Sequence, residues 1–111
     1  MTLVQSALSW LPDALGVVMV GAGIVNFIGP ASVREAFVRW GYPSGFHRIT
    51  GALEIAAGLL LFWPAMVQLG AIATAAILIG AIGTLIRFRD WSHLPGAFVL
   101  AAAATAVIFN A

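Results

Sequence analysis

Gly51-Ala52-Leu53-Glu54-Ile55-Ala56-Ala57-Gly58-Leu59-Leu60 sets one carboxylate in an otherwise apolar run, and Glu54 is the only ionisable side chain between Arg48 and Arg87. A run this apolar fits a bilayer-crossing helix, where a charged side chain at the centre costs roughly 2.5–3.5 kcal/mol. Glu54 therefore calls for a partner, a proton or a function.

The rest of the chain agrees with a membrane setting. Of 111 residues, 62% are hydrophobic and 8% are charged, and the mean hydropathy is +1.06. Water-soluble domains carry about 25% charged residues. The composition thus predicts an integral membrane protein with the lipid bilayer as its first partner and no separate soluble domain. A net charge of +1, all five basic charges being Arg, does not suit nucleic acid. The absence of Cys removes disulfides, thiolate nucleophiles and thiol-ligated clusters. The chain has no phosphate-binding glycine loop, no His-Glu-x-x-His and no Ser/His/Asp set, and no metal site is expected. Met1-Thr2-Leu3-Val4-Gln5 lacks the basic region of a secretory signal, so the first helix reads as a retained anchor.

A spanning helix needs about 20 mostly apolar residues, and four segments fit: Trp10 to Ile28, Ser44 to Phe62, Pro64 to Ile86 and Pro95 to Phe109. The expected fold is all-α, a single membrane domain over residues 1–111 built as a four-helix transmembrane bundle. The longest connection joins helices 1 and 2. There Ser32-Val33-Arg34-Glu35 has the form of a capping box, and Val33, Phe37 and Trp40 follow as an apolar stripe. Gly41 and Tyr42-Pro43 end the segment. It reads as a short amphipathic helix in the interface plane, with an irregular aromatic loop as the alternative. Trp10, Trp40, Trp63 and Trp91 sit near predicted boundaries, as aromatic belts do. Glycines recur at helical spacing, Gly16 and Gly23 in helix 1 and Gly51 and Gly58 in helix 2, which lets helices approach closely in lipid. Self-association into a homo-oligomer is compatible with so slim a bundle.

Helix 2 holds the candidate site. His47 precedes Glu54 by two turns and shares its face, with Thr50 and Gly51 between and Gly58 beyond. Missing side chains on both sides of a carboxylate imply either a close helix contact or room for a ligand. Gly80 on helix 3 falls near the depth of Glu54, and Asn26 on helix 1 and Thr84 on helix 3 lie closer to the cytoplasmic surface. The expectation is a polar funnel with Glu54 at its base, His47 and Asn26 nearer its mouth, and Arg48 within reach of the headgroups. Plainer readings stand beside it. Glu54 protonated and bonded to a threonine or carbonyl would fix packing alone, and His47 and Asn26 at helix ends would be polar glue. Arg87, Arg89 and Asp90 read as topology determinants with a local ion pair, and His93 as a cap of helix 4.

The ordered set Gly23-Ile24-Val25-Asn26-Phe27-Ile28-Gly29-Pro30, Trp40-Gly41-Tyr42-Pro43, Thr50 to Leu61 and Gly80-Ala81-Ile82-Gly83-Thr84 resembles the DoxX-like family of small four-helix membrane proteins. The family's glycine-x-x-glutamate core falls on Gly51 and Glu54, while Asn26 stands where the family often has Lys. A Lys–Glu pair is thereby lost, which leaves Glu54 protonated or paired with Arg48 or His47. The resemblance implies an accessory subunit of a membrane redox complex, while the glycine-flanked carboxylate points to a membrane subunit or binder of a small lipophilic, quinone-like molecule that uses Glu54 as its intramembrane polar contact. Two alternatives remain: a small membrane enzyme with Glu54 as general acid on an apolar substrate, such as an isomerase or epoxide-opening enzyme, and a pure assembly partner of another membrane protein. No cofactor is identified.

Arg34, Arg39 and Arg48 flank the first connection and Arg87 and Arg89 the third, while the termini and the Trp63-Pro64 turn have none. The positive-inside rule then puts both Arg-bearing connections in the cytoplasm and both termini outside. A reporter active only in the cytoplasm, fused after Ala111, is expected to stay silent; activity there would reverse the orientation.

Overall fold

The computed structural model describes residues 3–110, and the regular elements among them are all helical. The outward placement expected of the termini concerns Met1 and Ala111, which lie outside the described residues. The elements are α1 (Leu3–Ser9), α2 (Leu11–Ile28), α3 (Ala31–Arg39), α4 (Phe46–Leu60), a single 3-10 turn over Pro64–Met66, α5 (Val67–Arg87) and α6 (Leu94–Asn110). The short α1 was not foreseen; it packs against α2 and α6. The second apolar segment is helical for 15 residues rather than from Ser44 to Phe62. Gly45, at φ 82°, breaks the helical path at one end. At the other, the amides of Leu61, Phe62 and Trp63 close tight turns onto the carbonyls of Gly58, Leu59 and Leu60.

Two segments are long and apolar enough to cross a membrane: Leu11–Ile28, with mean hydropathy 1.8, and Pro64–Arg87, with 2.2. Only 22% and 28% of the most apolar 18 residues of each is buried. The core helix of a water-soluble domain would be mostly covered, whereas these turn Val17, Ile24 and Ile79 outward. At about 1.5 Å per residue, α4 and α6 reach roughly 22–26 Å, short of the ~30 Å hydrocarbon core.

α3 exists, but its start differs from the expected capping box. Pro30 occupies the cap position, and its carbonyl takes the amides of Val33 and Arg34, so Ser32 already lies inside the first turn and caps nothing. The end is as the sequence implies. Gly41 adopts φ 79°, its amide bonds Val38 O and the Tyr42 amide reaches back to Phe37 O, the paired closure of a glycine-terminated helix. Ala36 and Phe37 are buried while Arg34 and Arg39 face out. The buried face of α3 packs against α4.

The main helices pack in a ring, α2 on α4, α4 on α5, α5 on α6 and α6 back on α2. The α2–α4 pair is the tightest and runs antiparallel, Gly16 against Gly58 and Gly23 against Gly51. A β-carbon on Gly51 would come within 2.5 Å of Gly23 O and Phe27 N, and one on Gly58 within 2.9 Å of Gly16 O. α4 and α5 touch closely near their joining turn, where a β-carbon on Gly70 would meet Ala57 O at 3.1 Å. They part toward the other end, where Gly80 and Gly83 have nothing within 4 Å of that position. The close-packed core of Leu15, Met19, Leu61, Ala71, Ala104 and Val107 fills the turn end, and the opposite, Arg-bearing end is left hollow.

Replacing Gly51 by Ala is expected to cost about 1–3 kcal/mol by forcing α2 and α4 apart. Gly21→Ala, whose new methyl has nothing within 4 Å, is expected to be neutral or slightly stabilising. Thermal unfolding in detergent checks the pair; equal midpoints would remove the glycine contact as the organising feature.

A carboxylate-bearing cavity beneath an aromatic cover

The glycine contact brings the C-terminal turn of α2 against the first half of α4. There Asn26 Nδ2 donates to Glu54 Oε1 at 2.5 Å, and Glu54, only 8% exposed, is buried. The partner of Glu54 is thus the amide of Asn26, and neither Arg48, which is exposed, nor His47. His47 points elsewhere: its Nδ1 lies 2.7 Å from Asn26 O. A carbonyl only accepts, so Nδ1 carries the hydrogen. This carbonyl is one of the last four of α2, which have no partner inside their own helix. The imidazole also stands edge-on to Phe37, with 6.3 Å between ring centroids, and fills the space left by the missing side chain of Gly29. His47 pins the end of α2, the face of α3 and the start of α4 together.

Where α4 and α5 part, a cavity of about 350 Å³ opens. Asn26, Thr50, Glu54, Gly80 and Thr84, all expected at the site, line it. His47, Gly51 and Gly58 do not. His47 is buried behind the wall, and both glycines are consumed in the contact with α2. Of the two uses open to glycines flanking a carboxylate, close helix packing is the one adopted.

The sequence reading missed most of the apolar lining. Phe37, Trp40, Tyr42 and Phe46 roof the cavity, and Leu53, Ile77 and Leu78 form walls. Phe37 is the hub, 5.2 Å from Trp40 and 5.7 Å from Tyr42 between centroids. Tyr42 stacks on Phe46 at 4.6 Å and 9°. The density of aromatics between positions 37 and 46 is the available signal; as sequence, Phe37 and Trp40 form the stripe of an amphipathic helix and Tyr42 belongs to a turn. The roof is tied down. Thr84 Oγ1 gives its single hydrogen to Gly80 O at 3.1 Å, so Tyr42 O–H is the donor in its 2.5 Å contact with Thr84.

A second tie joins the two Arg-bearing connections. Asp90 Oδ1 accepts from His93 Nδ1 at 2.8 Å and from Ser92 Oγ at 3.1 Å, and Oδ2 lies 3.9 Å from Arg39 Nη2. His93 meets Trp40 edge-on at 6.5 Å and reaches the cavity wall. Asp90 is delivered there by Arg89, which takes the left-handed φ of 56° while the Asp90 amide returns to Leu85 O. The ion pair foreseen within Arg87, Arg89 and Asp90 is therefore made by Asp90 with residues outside that set. The His93 hydrogen bond, helped by Ser92 and Arg39 against the effect of burial, holds the Asp90 carboxyl below the usual carboxylate range. Among the described residues no three His, Asp or Glu side chains gather as a metal ion would require.

A depressed carboxyl adds stability above its unfolded value, and that stability is lost as pH falls through the folded value. Spin labels on Val38→Cys and Trp91→Cys, the sole thiols of such a variant, are expected to show one narrow distance at neutral pH. The distribution should broaden once pH drops below about 4. Adding Asp90→Asn should leave it broad at every pH; an unchanged distribution in that variant would deny the tie any role.

The DoxX-like family matches residues 13–107, a span that takes in every residue lining the cavity. No curated protein and no solved structure matches the chain. The chain belongs to the DoxX-like family, and that membership, with its outward-facing apolar helices, marks it as a small integral membrane protein.

Proposed function

We propose that this protein binds a small lipophilic molecule bearing one polar head, which reaches the cavity sideways from the bilayer between α4 and α5. The observation that carries the reading is the position of Glu54: a buried carboxyl on the wall of a cavity whose roof and walls are mostly apolar, with Asn26, Thr50 and Thr84 as its neighbouring polar groups. Ligand cavities begin at about 300 Å³, and a few convergent polar groups on apolar walls are their usual make-up. Support for sideways access comes from Leu53, which lines the cavity yet is 55% exposed, and from the exposed Ala76 and Gly80 opposite it on α5. In a membrane, that rim meets acyl chains. Thr50 and the second amide hydrogen of Asn26 are further polar contacts for the head beside Glu54.

The protein on this proposal is a single membrane domain whose α2, α4, α5 and α6 all cross the bilayer. The two shorter helices are completed by their flanking turns and by modest bilayer thinning. All five Arg residues lie at or beside the connections that close the hollow end, and the positive-inside rule makes that end cytoplasmic.

Menadione, a compact bilayer-soluble quinone, serves as the probe. Saturable quenching of tryptophan fluorescence in nanodiscs is expected, with affinity reduced at least about tenfold by Gly80→Leu, which fills the cavity. That factor corresponds to roughly 1.4 kcal/mol. Quenching that never saturates, or that Gly80→Leu leaves untouched, would remove the cavity from the account.

A further inference from the structure

We propose that the polar head this cavity selects is an organic cation, an ammonium or comparable group attached to an apolar body. The inference rests on the cavity-binding reading above and names the class of its ligand. Glu54 accepts one hydrogen bond, from Asn26 to Oε1, which leaves Oε2 for a ligand. Among the described residues no cationic side chain pairs with it; the ion pairs present, Arg39 and His93, both go to Asp90. His93 is the one basic group on the cavity wall, and its Nδ1 is held by that same Asp90. The cavity therefore carries an acceptor of positive charge, while the one basic group on its wall is already answered by Asp90.

The roof adds a second feature of the same sign. Phe37, Trp40, Tyr42 and Phe46 line the cavity that Glu54 lines. Aromatic faces attract cations, most strongly where water is excluded, and clustered rings are a recurring device for holding quaternary ammonium groups. The Tyr42–Phe46 stack covers only one face of each ring. A bare metal cation is a poor fit, because calcium-like ions take about six or more oxygen ligands and the cavity supplies one carboxyl. An anionic head would face the carboxyl and the ring faces together, both repulsive. A neutral head can offer the carboxyl a hydrogen bond but no opposite charge, and so binds less tightly than a cation of the same shape. An organic cation satisfies Oε2 and the rings, while its apolar body occupies the Leu53 and Ile77 side of the cavity.

Phenyltrimethylammonium and tert-butylbenzene test this directly, since they share one shape and differ in charge. Each is titrated calorimetrically into the protein in nanodiscs, with empty nanodiscs as the blank. The cation is expected to bind at least about tenfold more tightly than its neutral twin. Glu54→Gln is expected to abolish that preference, the two probes then binding alike. Trp40→Leu, which keeps the cover apolar, should reduce the preference and keeps the proposal open to refutation if Glu54→Gln fails to fold. Equal binding of the two probes by the wild type, or a preference indifferent to both substitutions, overturns the cation. If menadione still binds in that event, the cavity-binding reading survives; if menadione and both probes fail to bind, the two fall together.

Discussion

The backbone contact between α2 and α4 is the constraint on which the remainder rests. With Gly16 against Gly58 and Gly23 against Gly51, two helices meet where β-carbons would collide. In lipid no hydrophobic force separates a helix–helix face from a helix–lipid face, so close packing of small residues has to supply the association. The contact also sets rotation and register. It turns Asn26 toward Glu54 and lays the Asn26 carbonyl against His47. The carboxyl is thus presented sideways, past α2, to the space beside α5. A larger residue at Gly51 would disturb the Asn26–Glu54 bond and the cavity as well as the helix pair.

The second constraint is the unequal spacing of α4 and α5. Gly70 lets them close at their turn, above the core of Leu15, Met19, Leu61 and Ala71. Nothing draws them together at the other end, so that end must be covered from outside. α3 and the loop after it provide the cover with aromatic side chains, and two polar ties hold it: Tyr42 to Thr84, and Arg39 with His93 to Asp90. The left-handed conformation at Arg89 is part of the second tie. A non-glycine residue there is disfavoured by about 1–2 kcal/mol, and it aims Asp90 at its partners.

Much of this was legible in the chain. Composition announced the membrane, and the lone carboxylate of an apolar run drew attention to Glu54, which does line the cavity. Asn26, Thr50, Gly80 and Thr84 were placed by depth along their helices, and depth is a quantity a sequence supplies. Rotation about each helix axis is not. Gly51 and Gly58 were open to two uses, and only the position of α2 selects between them. His47 shares a helix face with Glu54, yet it is claimed by the helix end of α2. The start of α3 was misplaced because a capping box is a local pattern, and Pro30, two residues upstream, overrode it. The aromatic cover is not legible as such because the stripe of an amphipathic helix, a belt and a cavity lining share a composition and differ only in what lies beneath them.

The central claim is that Glu54 sits in a space reached from lipid and shielded from water. Its most direct test is the chemical accessibility of that carboxyl in intact membranes. Dicyclohexylcarbodiimide, which partitions into bilayers, and a water-soluble carbodiimide would be applied in parallel and the modified residue located by peptide mass spectrometry. The account predicts modification of Glu54 by the lipid-soluble reagent alone. Labelling by both reagents alike, or by neither, would contradict it.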